Sequence, residues 1–71
     1  MSDPDIKFVS PRGASELTSL STRQLSRLVE AGQFPTPLRL GHGPNGRLAF
    51  VEREVRAWLH ERVAERDEKA A

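Results

Sequence analysis

The chain has 71 residues, with 11 Lys and Arg against 10 Asp and Glu, and no cysteine. That length leaves room for one domain whose core supplies only about 3–5 kcal/mol. Without cysteine there is no disulfide to reinforce it and no thiolate for metal binding or nucleophilic chemistry. No apolar run reaches the ~18 residues that a membrane span needs. The acidic opening Met1-Ser2-Asp3-Pro4-Asp5 lacks the apolar stretch of a signal peptide. A cytoplasmic protein is expected, nucleoid-associated if its partner is DNA.

Charge is spread unevenly. Residues 21–50 carry Arg23, Arg27, Arg39 and Arg47 against Glu30 alone, while the segments on either side are slightly acidic. A polyanion would meet the middle of the chain. Four arginines on a solvated face are the plainer reading of the same pattern.

Residues 1–7 are polar and read as a disordered tail. Ser10-Pro11 then predicts an N-cap with proline at the first helical position, opening a short helix over Pro11–Thr18. Its core residues are Ala14 and Leu17, with Leu20 following. Ser21 with Gln24 three residues on is a capping-box pattern, and Leu25, Leu28 and Val29 follow at helical spacing until Gly32 ends the run. The few residues between the two helices predict a helix-turn-helix. Phe34-Pro35-Thr36-Pro37 cannot be helical, because the prolines remove donors and bias their predecessors to extended backbone. It brackets Phe34 against the core.

Leu38-Arg39-Leu40 and Arg47-Leu48-Ala49-Phe50 predict a two-stranded hairpin around the turn-rich tip Gly41-His42-Gly43-Pro44-Asn45-Gly46. The last helix shows an apolar stripe of Val55, Trp58, Leu59 and Val63. Trp58 on that stripe belongs to the core rather than to a base-stacking platform. Asp67–Ala71 is expected to fray. The predicted architecture is mainly α with a small β-hairpin, in the order helix, helix, hairpin, helix. Residues 1–7 are a tail, 8–66 one domain and 67–71 a frayed end.

A helix-turn-helix followed by a hairpin is the layout of a winged helix-turn-helix, in which the second helix enters the major groove and the hairpin reaches neighbouring DNA. Ser21, Thr22, Arg23, Gln24 and Arg27 are therefore candidate DNA contacts. Arg suits guanine O6 and N7, and Gln suits adenine N6 and N7. The helix N-terminus offers amides to a phosphate. Arg39, His42, Asn45 and Arg47 are candidate contacts on the hairpin, which otherwise serves only as a solubilising wing. His42 has no second ligand at suitable spacing, so no metal or other cofactor is expected. Glu52, Glu54, Glu61 and Glu65 lie on a charged helix with no cleft to act in, so no enzyme is expected.

The run from Leu20 through the Gly32-Gln33-Phe34-Pro35-Thr36-Pro37 bracket to Gly41, with the stripe Glu54-Val55-Arg56-Ala57-Trp58-Leu59, resembles the AlpA family of prophage regulators. The resemblance covers about residues 8–66. It implies a winged helix-turn-helix related to MerR-type and excisionase domains. Such proteins bind double-stranded DNA of mobile elements, regulating transcription or promoting excision as recombination directionality factors. An integrase and RNA polymerase are candidate protein partners. A protein-interaction adaptor, docking an integrase through the third helix, is the alternative reading. The chain lacks a long heptad, so a monomer is expected in solution. A single small module covers little DNA, which favours several copies side by side on the duplex.

Overall fold

A computed structural model describes residues 6–41 and 46–70. Its elements run β1 (Phe8–Val9), α1 (Pro11–Thr18), α2 (Thr22–Glu30), β2 (Leu38–Leu40), β3 (Arg47–Val51) and α3 (Glu52–Ala70). Both short helices start where the sequence places their caps. Ser10 accepts from the Gly13 amide with Pro11 inside the first turn. Ser21 accepts from the Gln24 amide at 3.1 Å, and the Gln24 side chain accepts from the Ser21 amide at 2.9 Å, closing the capping box.

The end of α2 is also specified locally. Gly32 adopts φ +73°, its amide reaches the Val29 carbonyl, and the Gln33 amide returns to the Leu28 carbonyl at 2.8 Å. These two bonds are the Schellman pattern, which favours glycine at the left-handed residue. The turn after α1 solves the same problem without glycine. Ser19 sits at φ +64° and bonds back to the Ser15 carbonyl at 2.8 Å. Ser15 Oγ donates to the Leu20 carbonyl, while Thr18 Oγ1 donates to the Ala14 carbonyl and accepts from the Leu20 amide. Hydroxyls of α1 thus hold both backbone groups of Leu20, in the link between the helices, against the end of α1.

The expected two-stranded hairpin is a three-stranded antiparallel sheet of order β1-β3-β2. Phe8 pairs with Val51 and Val9 with Phe50, and the Glu52 amide bonds to the Lys7 carbonyl at 2.8 Å. Two strands alone are marginal in water, and a two-residue strand with little pattern of its own completes them. The predicted tail therefore gives way to ordered backbone before Phe8, and residues 1–5 lie outside the described part.

The core brings Ala14, Leu25, Phe34, Phe50 and Val55 together, with Val9, Leu17, Leu20, Leu28, Val29, Trp58 and Leu59 packed around them. Phe34 is the hub. Its ring meets Phe50 edge-on at 5.5 Å and Trp58 at 4.9 Å, geometries that aromatic quadrupoles favour. Trp58 Nε1 donates to the Gln33 carbonyl at 2.7 Å, tying α3 to the bracket after α2.

One expectation for α3 needs correction. Val63 is 48% exposed, so the buried stripe stops at Leu59, where the helix runs beyond the elements that could cover it. The helix runs through Ala70. Residues 61–70 contain no Gly, Pro or β-branched run apart from Val63, and Arg62 pairs with Glu65 at 3.0 Å.

Candidate nucleic-acid interface

Leu25 is buried and fixes the inward side of α2. At 3.6 residues per turn, Arg23 and Arg27 lie about 160° and 200° around the axis from Leu25, directly away from the core. Both are exposed, and neither makes an ion pair or side-chain hydrogen bond among the described residues. Two cations one turn apart therefore form the outward ridge of a helix whose two ends are capped. Glu30, about 140° from Leu25 and near the C-terminal end, flanks that ridge and is the one acid on α2.

Ser21, Thr22 and Gln24 are exposed at the N-terminus of α2, but they do not offer the same thing. The amides of Thr22 and Arg23 have no acceptor within the helix, so the end presents donors and the positive end of the dipole. Gln24 forms the capping box that its spacing from Ser21 predicts. Its Oε1 already accepts from the Ser21 amide. A bidentate contact to adenine needs that oxygen as well, and would have to use its second lone pair while the capping box stays closed. Its amide NH₂ remains a donor.

The wing separates its two arginines. Arg39 pairs with Leu48, and Leu40 with Arg47, so Arg39 and Arg47 occupy opposite faces of the sheet. Arg39 shares its face with Leu48, Phe50 and Val9, the face that packs toward the helices. Its Nη1 donates to the Gly46 carbonyl at 3.1 Å, which braces the base of the tip. A Cβ at Gly46 would come within 2.8 Å of Arg39 Cγ, so the arginine stem lies across this glycine. Arg47 is exposed on the other face, with no ion pair or side-chain bond among the described residues. His42 and Asn45, the remaining tip candidates, lie outside the described residues.

Between α2 and the wing is a cleft lined by Pro11, Thr22, Ser26, Val29, Pro37 and Leu48. Thr22 and Ser26 place its polar edge beside the arginine ridge. A second, open groove runs between the end of α2 and α3, with Leu28, Phe34, Trp58, Glu54 and Glu61 along it. Arg62 lies over the Trp58 ring at 5.1 Å, so the exposed side of the indole already has a cation. This supports the structural reading of Trp58. No group of three or more metal-ligating side chains occurs among the described residues, and no described helix is long and apolar enough to cross a membrane.

Features with little sequence signal include the Ser19 turn and the Arg39 brace. The serine and threonine density of Ser15, Thr18, Ser19 and Ser21 was available as a clue to the first. Nothing local announces the second, because it depends on strand register.

No curated protein and no solved structure matches this chain significantly. The profile of the family described as Prophage CP4-57 regulatory protein (AlpA) matches residues 7–63, which takes in both short helices, the wing and the buried part of α3. Three helices with a small antiparallel sheet are compatible with the winged helix-turn-helix fold expected of that family. The chain belongs to the AlpA family of prophage regulatory proteins.

Proposed function

We propose that this protein binds double-stranded DNA, with α2 in the major groove and the wing against the adjoining backbone. The observation that carries the reading is the outward ridge of Arg23 and Arg27, opposite buried Leu25 on a helix capped at both ends. A rigid helix holding two unpaired guanidinium groups away from the core suits guanine edges and phosphates. Ser21, Thr22 and the helix N-terminus position a phosphate, and Gln24 contributes through its NH₂. Arg47 meets backbone from the wing, while Arg39 holds the wing in shape and is available to DNA through its other donors. His42 and Asn45 belong to the tip and reach the same duplex.

In this reading the protein controls a prophage or integrated element, as a transcription regulator, an excision factor or both. Deforming the duplex would serve either role. Copies on neighbouring sites supply the contacts that one small module lacks. Integrase and RNA polymerase are the protein partners that such sites bring close, in the cytoplasm at the nucleoid.

The test is a gel shift on random-sequence duplex across a salt series. Binding should weaken as salt rises, with a log–log slope set by the phosphates neutralised. An Arg23→Ala,Arg27→Ala protein that folds and binds like the parent would overturn the assignment of α2. Absence of any shift at low salt would favour the adaptor reading, for which the Trp58 groove is the motivating surface.

A further inference from the structure

Helices α2 and α3 both carry arginine followed three residues on by glutamate, and they treat the pair differently. On α3, Arg62 bonds Glu65 at 3.0 Å, and Arg56 bonds Glu52 at 3.2 Å. On α2, Arg27 and Glu30 have the same order and spacing as Arg62 and Glu65, yet no ion pair joins them. Glu30 is exposed and bonds nothing among the described residues. It is also the last residue of α2, where the negative end of the helix dipole disfavours an acid. A residue set against its own helix without a compensating bond points to a task outside the fold.

Position narrows that task. Glu30 lies within about 20° of Arg23 around the helix axis and about 60° of Arg27, so the three share the outward side. A rise of about 1.5 Å per residue puts Glu30 roughly 10.5 Å beyond Arg23, close to three base steps of about 3.4 Å. We infer that Glu30 is a specificity residue of α2, accepting from the N4 amino group of a cytosine about three base pairs from the position that Arg23 reads. This role rests on the placing of α2 in the major groove.

The chemistry of a carboxylate makes it selective there. An ionised carboxylate only accepts hydrogen bonds, so phosphates and the acceptor edges of guanine and thymine repel it. Cytosine shows the major groove a donor and no acceptor, while adenine sets its N6 donor beside the N7 acceptor. The cleft beside Glu30 is walled by Pro37 and Leu48, and no cation lines it to neutralise the charge. A duplex with guanine or thymine at that position therefore leaves the carboxylate unpaired against negative groups. Glu30 chooses by exclusion as well as by attraction. Arginines alone do this poorly, because any phosphate attracts them.

Binding selection from a fully randomised duplex library tests the assignment, with the parent, Glu30→Gln and Glu30→Ala run in parallel and each fold checked by circular dichroism. The parent should enrich a guanine and, about three base pairs away, a cytosine. Glu30→Gln should move the second preference to adenine, whose N6 and N7 suit an amide, and leave the guanine in place. Glu30→Ala should flatten the second preference and bind the unselected library more tightly than the parent, because a repulsive charge is gone. On one selected duplex, replacing that cytosine with guanine should weaken the parent about tenfold or more and Glu30→Ala less than about threefold. Identical base preferences in all three proteins would overturn the role of Glu30. Equally weakened binding of Glu30→Ala to every duplex would also overturn it, and would give the carboxylate to a basic group on a neighbouring protein. An Arg23→Ala,Arg27→Ala protein separates the two readings. Preferences that survive in it refute the placing of α2 itself. Preferences that it loses and both Glu30 variants keep refute only the part given to Glu30.

Discussion

Helix α2 and the wing carry the same kind of residue, exposed arginine beside leucine, yet they hold it in different ways. In α2 every constraint is local. A capping box starts the helix, a Schellman turn ends it, and buried Leu25 fixes its rotation, so Arg23 and Arg27 must face out together. In the wing the constraint is the pairing of distant strands, and that register sends Arg39 and Arg47 to opposite faces. Adjacent helical turns thus make a paired cationic ridge, whereas adjacent strands make two separate roles from two similar residues.

The largest expected effect tests what the two regions share. Phe34 and Trp58 join the turn after α2 to the sheet and to α3. Trp58→Ala would remove a large half-buried ring and the bond that ties α3 to the Gln33 carbonyl, costing about 3–5 kcal/mol, comparable with the whole core. Thermal melting and circular dichroism should find the chain largely unfolded at 25 °C. A variant that melts like the parent would mean that α2 and the wing are held together by something other than this aromatic cluster.

Next comes the contrast between the arginines themselves. Arg23→Ala should cost about 1–3 kcal/mol at a specific site if its guanidinium reads guanine. Arg47→Ala should weaken all duplexes alike and lower the salt slope by about one unit. Neither change should alter the melting temperature appreciably, since both side chains are exposed. Equal losses on specific and random DNA for Arg23→Ala would make the ridge a phosphate clamp, and α2 would no longer differ from the wing in kind.

These differences track what a sequence can express. Caps, glycine ends and i, i+3, i+4 spacing are short-range signals, and the boundaries of α1 and α2 are legible from Ser10-Pro11, Ser21 with Gln24, and Gly32. The bracket was legible too, because two prolines leave Phe34 few ways to lie. Pairing of Phe8-Val9 with Phe50-Val51 was not, since two apolar residues more than 40 positions away carry no register of their own. The same limit hid the bond from Arg39 to Gly46. At Gln24 two short-range signals fall on one amide oxygen. The capping box and the adenine contact are each reasonable by residue type, and in the free protein the cap uses one of the oxygen's two lone pairs.

That overlap gives a smaller, sharper test. Ser21→Ala removes the cap acceptor of the Gln24 amide and should destabilise the protein by about 0.5–2 kcal/mol. Gln24→Glu keeps an acceptor for the Ser21 amide and adds a favourable charge at the helix N-terminus, but it loses the NH₂ donor and repels phosphate. The melting temperature should therefore hold or rise while DNA affinity falls. Unchanged affinity in a gel shift would remove Gln24 from the interface and leave it as a capping residue.

The smallest effect concerns the turn that sets α2 against α1. Ser19 is the described non-glycine residue at positive φ, +64°. An L residue pays roughly 1–2 kcal/mol there because its Cβ crowds the following carbonyl. Glycine relieves that strain but gives the unfolded chain extra freedom, at about 0.4–1 kcal/mol. The difference favours Ser19→Gly by about 0.5–1 kcal/mol, which in a domain of this size raises the melting temperature by roughly 2–8 °C. Ser19→Ala is the control. It keeps Cβ and removes a hydroxyl that bonds nothing among the described residues, so it should change stability by less than about 0.5 kcal/mol. If serine, alanine and glycine melt alike, backbone strain at Ser19 is negligible. The hydroxyl bonds of Ser15 and Thr18 would then hold the turn by themselves. A gain for glycine alone would show that α2 is specified as locally at its approach as at its two caps, and the wing has no counterpart to that.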